Sequence, residues 1–153
     1  MNMRKTCLLI CSFLLLSCQT SPEPDYISRG DVISLNKSLA IPKLRSHITI
    51  QYGEIADEAD LNVYEHNSII ENRELGPKTI QPESYTVSKV TYNEEWYSDA
   101  GAIIRYFTEI YLNSDNSQQQ DLILSCQILG NTMEHHSFTA DEIKQVTGGY
   151  FNF

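Results

Sequence analysis

Glu134-His135-His136 is the place where this 153-residue chain comes nearest to a general base or a pair of metal ligands. Neighbouring side chains of an extended segment point to opposite faces, so both imidazoles cannot grip one ion without a special loop. Zinc would also need three or four ligands in one place, and His47 and His66 stand at no spacing that completes such a set. Between Gly130-Asn131 and Thr139-Ala-Asp-Glu142 the pair reads as an exposed loop, which leaves His135 and His136 as weak metal candidates. The run Asn113-Ser-Asp115-Asn-Ser117-Gln-Gln119-Gln-Asp121 alternates oxygen-bearing side chains as a calcium loop does. It carries Gln118 in place of the sixth-position glycine and Leu124 in place of the twelfth-position glutamate, and so reads as a polar connection between strands. Glu54, Asp57, Glu58 and Asp60 form an acidic loop able to hold a cation weakly, although solvation alone accounts for such a cluster. A hydrolase needs a nucleophile, a base, an orienting acid and oxyanion donors held together. The chain has no Gly-x-Ser-x-Gly, no glycine-rich phosphate loop and no His-x-x-x-His. The expectation is a protein that is not an enzyme and carries no cofactor.

Chemistry of another kind is written at the start. Arg4-Lys5 precede an apolar run from Cys7 to Leu16, and Leu15-Leu16-Ser17-Cys18 follows. The run is about half of the ~20 residues that a helix needs to cross a bilayer. A basic start, a short apolar stretch and a small residue describe a secretory signal peptide. The closing tetrad resembles the lipobox of bacterial lipoproteins, in which the cysteine becomes the lipidated first residue of the mature chain. That resemblance implies a signal peptide over 1–17, a diacylglycerol thioether on Cys18, cleavage before it and further acylation, with the membrane as a partner through the anchor. Gln19 stands where an inner-membrane retention rule would require aspartate, which points to an outer-membrane, periplasm-facing location.

Cleavage before Cys18 removes Arg4 and Lys5 and no acid, leaving 9 basic against 20 acidic residues and a formal charge of −11. That balance repels phosphate backbones and anionic head groups, so nucleic acid is excluded as a partner. Cys7 and Cys11 leave with the signal. Cys126 is then the one thiol of the mature domain, and it lies on the alternating face of Leu122-x-Leu124-x-Cys126-x-Ile128, where it reads as a small buried hydrophobe.

Gln19 to Arg29 is polar with two prolines and reads as a tether, 18–29 with its lipid, followed by a single domain over 30–153. Strand signals dominate that domain. His47-Ile-Thr-Ile-Gln-Tyr52 alternates strictly, and Ala102, Ile104, Tyr106, Thr108, Ile110 and Leu112 share one face of a second run. Tyr85 to Tyr92 is a third, with an apolar phase that switches between Val87 and Val90 and so implies a bulge. Leu122 to Leu129 and a less regular stretch from Val63 to Arg73 complete the set. The one helix signal is the capping box Thr139-Ala-Asp-Glu142, followed by Ile143 and Val146 and stopped by Gly148-Gly149. These signals predict a mainly β fold, an antiparallel sandwich or strongly curved sheet with one short C-terminal helix.

Ile41-Pro42, His47 to Gly53, Tyr64-Glu65, Leu75-Gly76-Pro77-Lys78-Thr79-Ile80 and the Leu-Ser-Cys126 strand resemble a group of small Gram-negative lipoproteins to which no activity is assigned. In that group a cysteine shortly after the Tyr-Glu pair accompanies the one matching Cys126. The resemblance implies a disulfide between neighbouring strands, of which this chain keeps Cys126 and replaces the other half by Ser68. Function does not transfer. The leading expectation is an outer-membrane-anchored accessory lipoprotein whose domain binds another envelope component, most simply a protein. Its candidate surfaces are a loop carrying Trp96 and Tyr97 and the terminal Tyr150, Phe151 and Phe153, which read alternatively as a core-packing tail. The competing expectation is a small-ligand or cation site, or a hydrolytic one, at His135, His136 and the acidic loop.

Overall fold

The computed structural model describes residues 24–98, 103–116, 120–131 and 137–153. The chain is mainly β. Its strands are β1 (Val32–Leu35), β2 (Leu39–Ile41), β3 (His47–Gln51), β4 (Glu54–Ala56), β5 (Asn67–Asn72), β6 (Lys78–Ile80), β7 (Glu83–Ser98), β8 (Ile103–Ser114), β9 (Leu122–Gly130) and β10 (Phe151–Asn152), with helix α1 (Ala140–Thr147) before the last. Eight strands form one antiparallel sheet in the order β10-β1-β7-β8-β9-β5-β3-β4, curved into a half-barrel, and β2 and β6 pair separately.

Directly opposed residues of neighbouring strands share a face, so the pairing defines the concave wall. Ile110, Leu124, Ile70 and Ile48 lie in one row across β8, β9, β5 and β3, with Thr108, Cys126, Ser68 and Ile50 in the next. On the other flank Ile33 faces Tyr85, Val87 faces Leu112 and Val90 faces Ile110. Val87 and Val90 are three residues apart and would point to opposite sides of a regular strand. The register shift between Val87 and Lys89 absorbs Ser88, whose hydroxyl donates to the Tyr111 carbonyl at 3.1 Å, and returns both valines to the core side. The expected bulge is therefore what keeps a long strand amphipathic.

Helix α1 closes the concave side. Thr139 Oγ1 accepts from the Glu142 N–H at 3.2 Å while the Glu142 carboxylate accepts from the Thr139 N–H at 2.8 Å, completing the capping box. Ile143 and Val146 point into the core. After Thr147 the chain turns at Gly148, φ +56°, and Phe151 pairs with Leu35 on β1. Gly148 at the same time touches Gly53 in the β3–β4 turn, whose N–H donates to the Val146 carbonyl at 2.9 Å. The three residues from Gly148 to Phe151 reach at most about 10 Å, whereas β1 and β3 would stand about 24 Å apart in a flat sheet at ~4.8 Å per strand. The sheet must curl for one short segment to touch both flanks.

The folded part begins earlier than the sequence implies. Ile27, expected in the tether, joins the core, and the Asp25 carbonyl accepts from the Ala140 N–H at 2.8 Å. Two prolines and three charges hid a single anchoring isoleucine. Among the described residues no helix is long and apolar enough to cross a membrane.

A Cβ on Gly148 would lie 2.6 Å from the Gly53 Cα, whereas at Gly30, also at positive φ, nothing lies within 4 Å. Gly148→Ala is therefore expected to cost about 3 kcal/mol in urea denaturation, strain and clash together. Gly30→Ala should cost about 1 kcal/mol, from conformation alone. Equal losses would show that the Gly53–Gly148 approach carries no stability.

Candidate interaction surfaces

Trp96 and Tyr97 belong to no loop. They lie at the far end of β7, 69 % and 63 % exposed, with Trp96 opposite Ile104 on β8. The polar run Asn93-Glu94-Glu95 concealed the strand, because beyond its valines β7 has solvent on both faces and carries no alternation to read. Under it the convex face is braced by a polar chain across four strands. Glu95 pairs with Arg105 at 3.2 Å, Arg105 Nε donates to Gln127, and Gln127 donates to Asn67 at 2.9 Å. The Arg105 guanidinium also lies 4.1 Å above the Phe107 ring, covering it. The hairpin end thus projects from a fixed base while its own side chains stay open.

The terminal aromatics are removed from the candidate surface. Phe151 is 2 % exposed, a core residue, and Tyr150 and Phe153 are half-buried against the same cluster. Pairing with β1 turns Phe151 inward, and Lys37 Nζ sits 4.8 Å from the Tyr150 ring. This is the core-packing alternative for the tail.

The acidic loop does not converge on a cation. The Glu58 carboxylate is held by the Arg45 guanidinium, with His47 Nε2 at 3.6 Å, and Asp57 Oδ1 accepts from the Ala59 N–H within its own turn. Among the described residues no three His, Cys, Asp or Glu side chains come together as a metal site requires. His135 and His136, like Cys18, lie outside the described residues.

A cleft that the sequence did not announce lies beside the β3–β4 turn. It measures about 280 Å³ and is lined by Tyr52, Tyr64, Glu65, His66, Ile128, Gln145 and Val146. Tyr52 and Gly53 both have positive φ, the pattern of a type I′ hairpin, in which the first position ordinarily favours asparagine or glycine. Tyr52 is nevertheless 68 % exposed, and its hydroxyl donates to the Glu65 carboxylate. An interior Tyr52 was implied by the alternation His47 to Tyr52; the turn lifts it out.

Ser68 and Cys126 stand directly opposite each other on β5 and β9, both fully buried, with hydroxyl and thiol in hydrogen-bond contact. Burial pushes the Cys126 thiol up to about 12, against a smaller lowering by the Ser68 hydroxyl, so at neutral pH it is an unreactive core group.

No known protein family, curated protein or solved structure matches the chain.

Two substitutions follow from this geometry. Ser68→Cys is expected to form a disulfide with Cys126 during folding in an oxidising buffer, raising stability by roughly 2 to 4 kcal/mol; thiol labelling that finds Cys126 still free after unfolding would contradict it. Added to the folded protein, oxidant should react slowly, since neither buried thiol ionises. Tyr52→Asn should raise stability by about 0.5 to 1 kcal/mol by relieving the left-handed tyrosine, and a lower melting temperature would show that the ring and its bond to Glu65 are worth more than the strain.

Proposed function

We propose that the protein is a lipid-anchored accessory protein of the outer membrane, and that its β-rich domain holds another envelope protein at the end of the β7–β8 hairpin. The observation that carries the reading is the pair Trp96 and Tyr97, two large aromatics left in water on a strand whose base is braced by Glu95, Arg105 and Gln127. Aromatic side chains present much contact area at small entropic cost and are favoured as interface anchors. The lipobox supplies the second support. From Cys18 to Asp25 the chain reaches at most about 25 Å, so an acylated Cys18 would keep the domain beside the bilayer and its partners among membrane-proximal proteins. Surplus negative charge fits a protein partner better than a nucleic acid or an anionic lipid face.

A small-ligand reading has one observation in its favour, the tyrosine-lined cleft beside Glu65. It would use Tyr52 and Tyr64 and neither the acidic loop nor a metal.

Affinity capture from cross-linked cells distinguishes the two. The anchored protein is expected to retain one stoichiometric envelope protein. Cys18→Ser, secreted without its anchor, should lose most of it, and anchored Trp96→Ala/Tyr97→Ala should recover about tenfold less with an unchanged melting temperature. Equal recovery from all three would show that the partner is not held at the hairpin end, and none from any would refute the protein-binding role and move weight to the cleft.

A further inference from the structure

Among the described residues the outer half of β7 has a neighbouring strand on one side only. β1 pairs with β7 from Glu83 to Thr86, and Val87 is the last residue held there, accepting from the Gly30 N–H at 2.8 Å and donating to the Asp31 carbonyl at 2.9 Å. The ladder to β8 continues to Trp96 and Ser98. Among the described residues no strand lies along the opposite side of Asn93 to Tyr97, and all five of those residues are exposed. Every second residue of an antiparallel strand turns its N–H and C=O to the same side. From Asn93 to Trp96 the edge therefore presents alternating donors and acceptors, and a register shift between Trp96 and Ser98 interrupts the alternation at Tyr97. The sheet's two terminal strands offer less, β4 having three residues and β10 two.

The chemistry of the edge selects what can join it. Glu94 and Glu95 are adjacent and so project to opposite faces, one carboxylate on each. Glu95 is shared with Arg105, and Glu94 accepts from the Tyr92 hydroxyl at 3.1 Å, so each acid is positioned and still has oxygen lone pairs to offer. Charged residues on an edge are a usual defence against pairing with its own kind, and a second copy would bring the same acids to a chain that already carries formal charge −9. An incoming strand with lysine or arginine opposite these positions meets attraction instead, since opposite charges across a strand pair stabilise and like charges destabilise. Beyond the acids Trp96 and Tyr97 can cover the aliphatic stems or cations of such a strand.

We propose that Asn93 to Tyr97 is a strand-acceptor site, which takes an extended basic segment of a protein partner as an added strand of the sheet. The inference rests on the reading of the domain as a protein-binding module, and it specifies the mode of binding and the partner's chemistry.

Hydrogen–deuterium exchange on the full chain tests it, with three synthetic probes: a short proline-free peptide alternating lysine with valine and threonine, the same peptide with glutamate for lysine, and the lysine peptide N-methylated at alternate residues. The lysine peptide is expected to slow exchange of those amides between Asn93 and Tyr97 that face away from β8 about tenfold, the glutamate peptide to bind about tenfold more weakly, and the N-methylated peptide, which lacks the ladder donors, to do nothing. Glu94→Lys, which leaves the Glu95–Arg105 pair in place, should bring the lysine and glutamate peptides to about equal binding without changing the melting temperature. Amides facing away from β8 that are already protected in the free protein, protection equal with and without N-methylation, or no protection by any peptide would each overturn the proposal. If no peptide adds a strand while an envelope partner is still captured through Trp96 and Tyr97, the strand mode falls and the protein-binding reading stands. If the lysine peptide adds and no partner is captured, the acceptor site stands and that reading falls.

Discussion

The contact between Gly53 and Gly148 is the constraint on which the rest of the structure turns. Two backbones approach so closely that a Cβ on Gly148 would lie 2.6 Å from its neighbour's Cα, and both glycines sit at positive φ. One belongs to the hairpin at one flank of the sheet and the other to the end of α1, from which the chain passes directly to the opposite flank as β10. A single short segment therefore ties the two flanks together. The curl of eight strands, the closure of the concave side by Ile143 and Val146, and the inward turn of Phe151 are all consequences of that tie. Thr139 and Glu142 fix the other end of the same helix, and the bond from Ala140 to Asp25 draws Ile27 into the space that remains.

What this closure leaves outside is as informative as what it buries. Tyr150, Phe151 and Phe153 are consumed in sealing the core, so an aromatic tail that could have been a docking strand is structural. The hairpin end is not consumed. Strand β7 outruns its neighbour β1, and the ion pair and amide chain from Glu95 through Arg105 and Gln127 to Asn67 hold its base without covering its tip. A surface ion pair of this kind contributes little to stability, about 0 to 1 kcal/mol, and with the two hydrogen bonds that continue it across four strands it serves better as a means of fixing direction. Trp96 and Tyr97 thus combine exposure with a rigid mount.

Much of the fold was legible because the signals were local. The capping box named the helix, strict alternation named β3, β8 and β9, and the phase slip between Val87 and Val90 named a bulge that exists. The parts that were missed depend on distant partners. Strand β1 (Val32–Leu35) and strand β10 (Phe151–Asn152) are too short to show a period; β1 is made by pairing with β7 and β10, and β10 by pairing with β1. The outer end of β7 read as a loop because alternation is produced by burial on one face, and that end has none. Ser68 opposite Cys126 was placed by resemblance, and the register puts the two side chains in contact. The cleft at Tyr52 had no signal beyond a Tyr-Gly pair, since its walls come from the β3–β4 turn, the approach to β5, and α1. The lipobox-like tetrad ending at Cys18 was the clearest motif in the sequence and lies outside the described residues.

A photo-activatable amino acid placed in living cells at position 96, and in parallel at Leu44, another exposed apolar residue between β2 and β3, puts the hairpin end to the most direct test. Irradiation should give one adduct of discrete mass at position 96, containing an envelope protein, and none at position 44. Adducts at position 44 with none at position 96, or the same diffuse pattern at both, would show that the projecting end of β7 is not where this protein meets its partner.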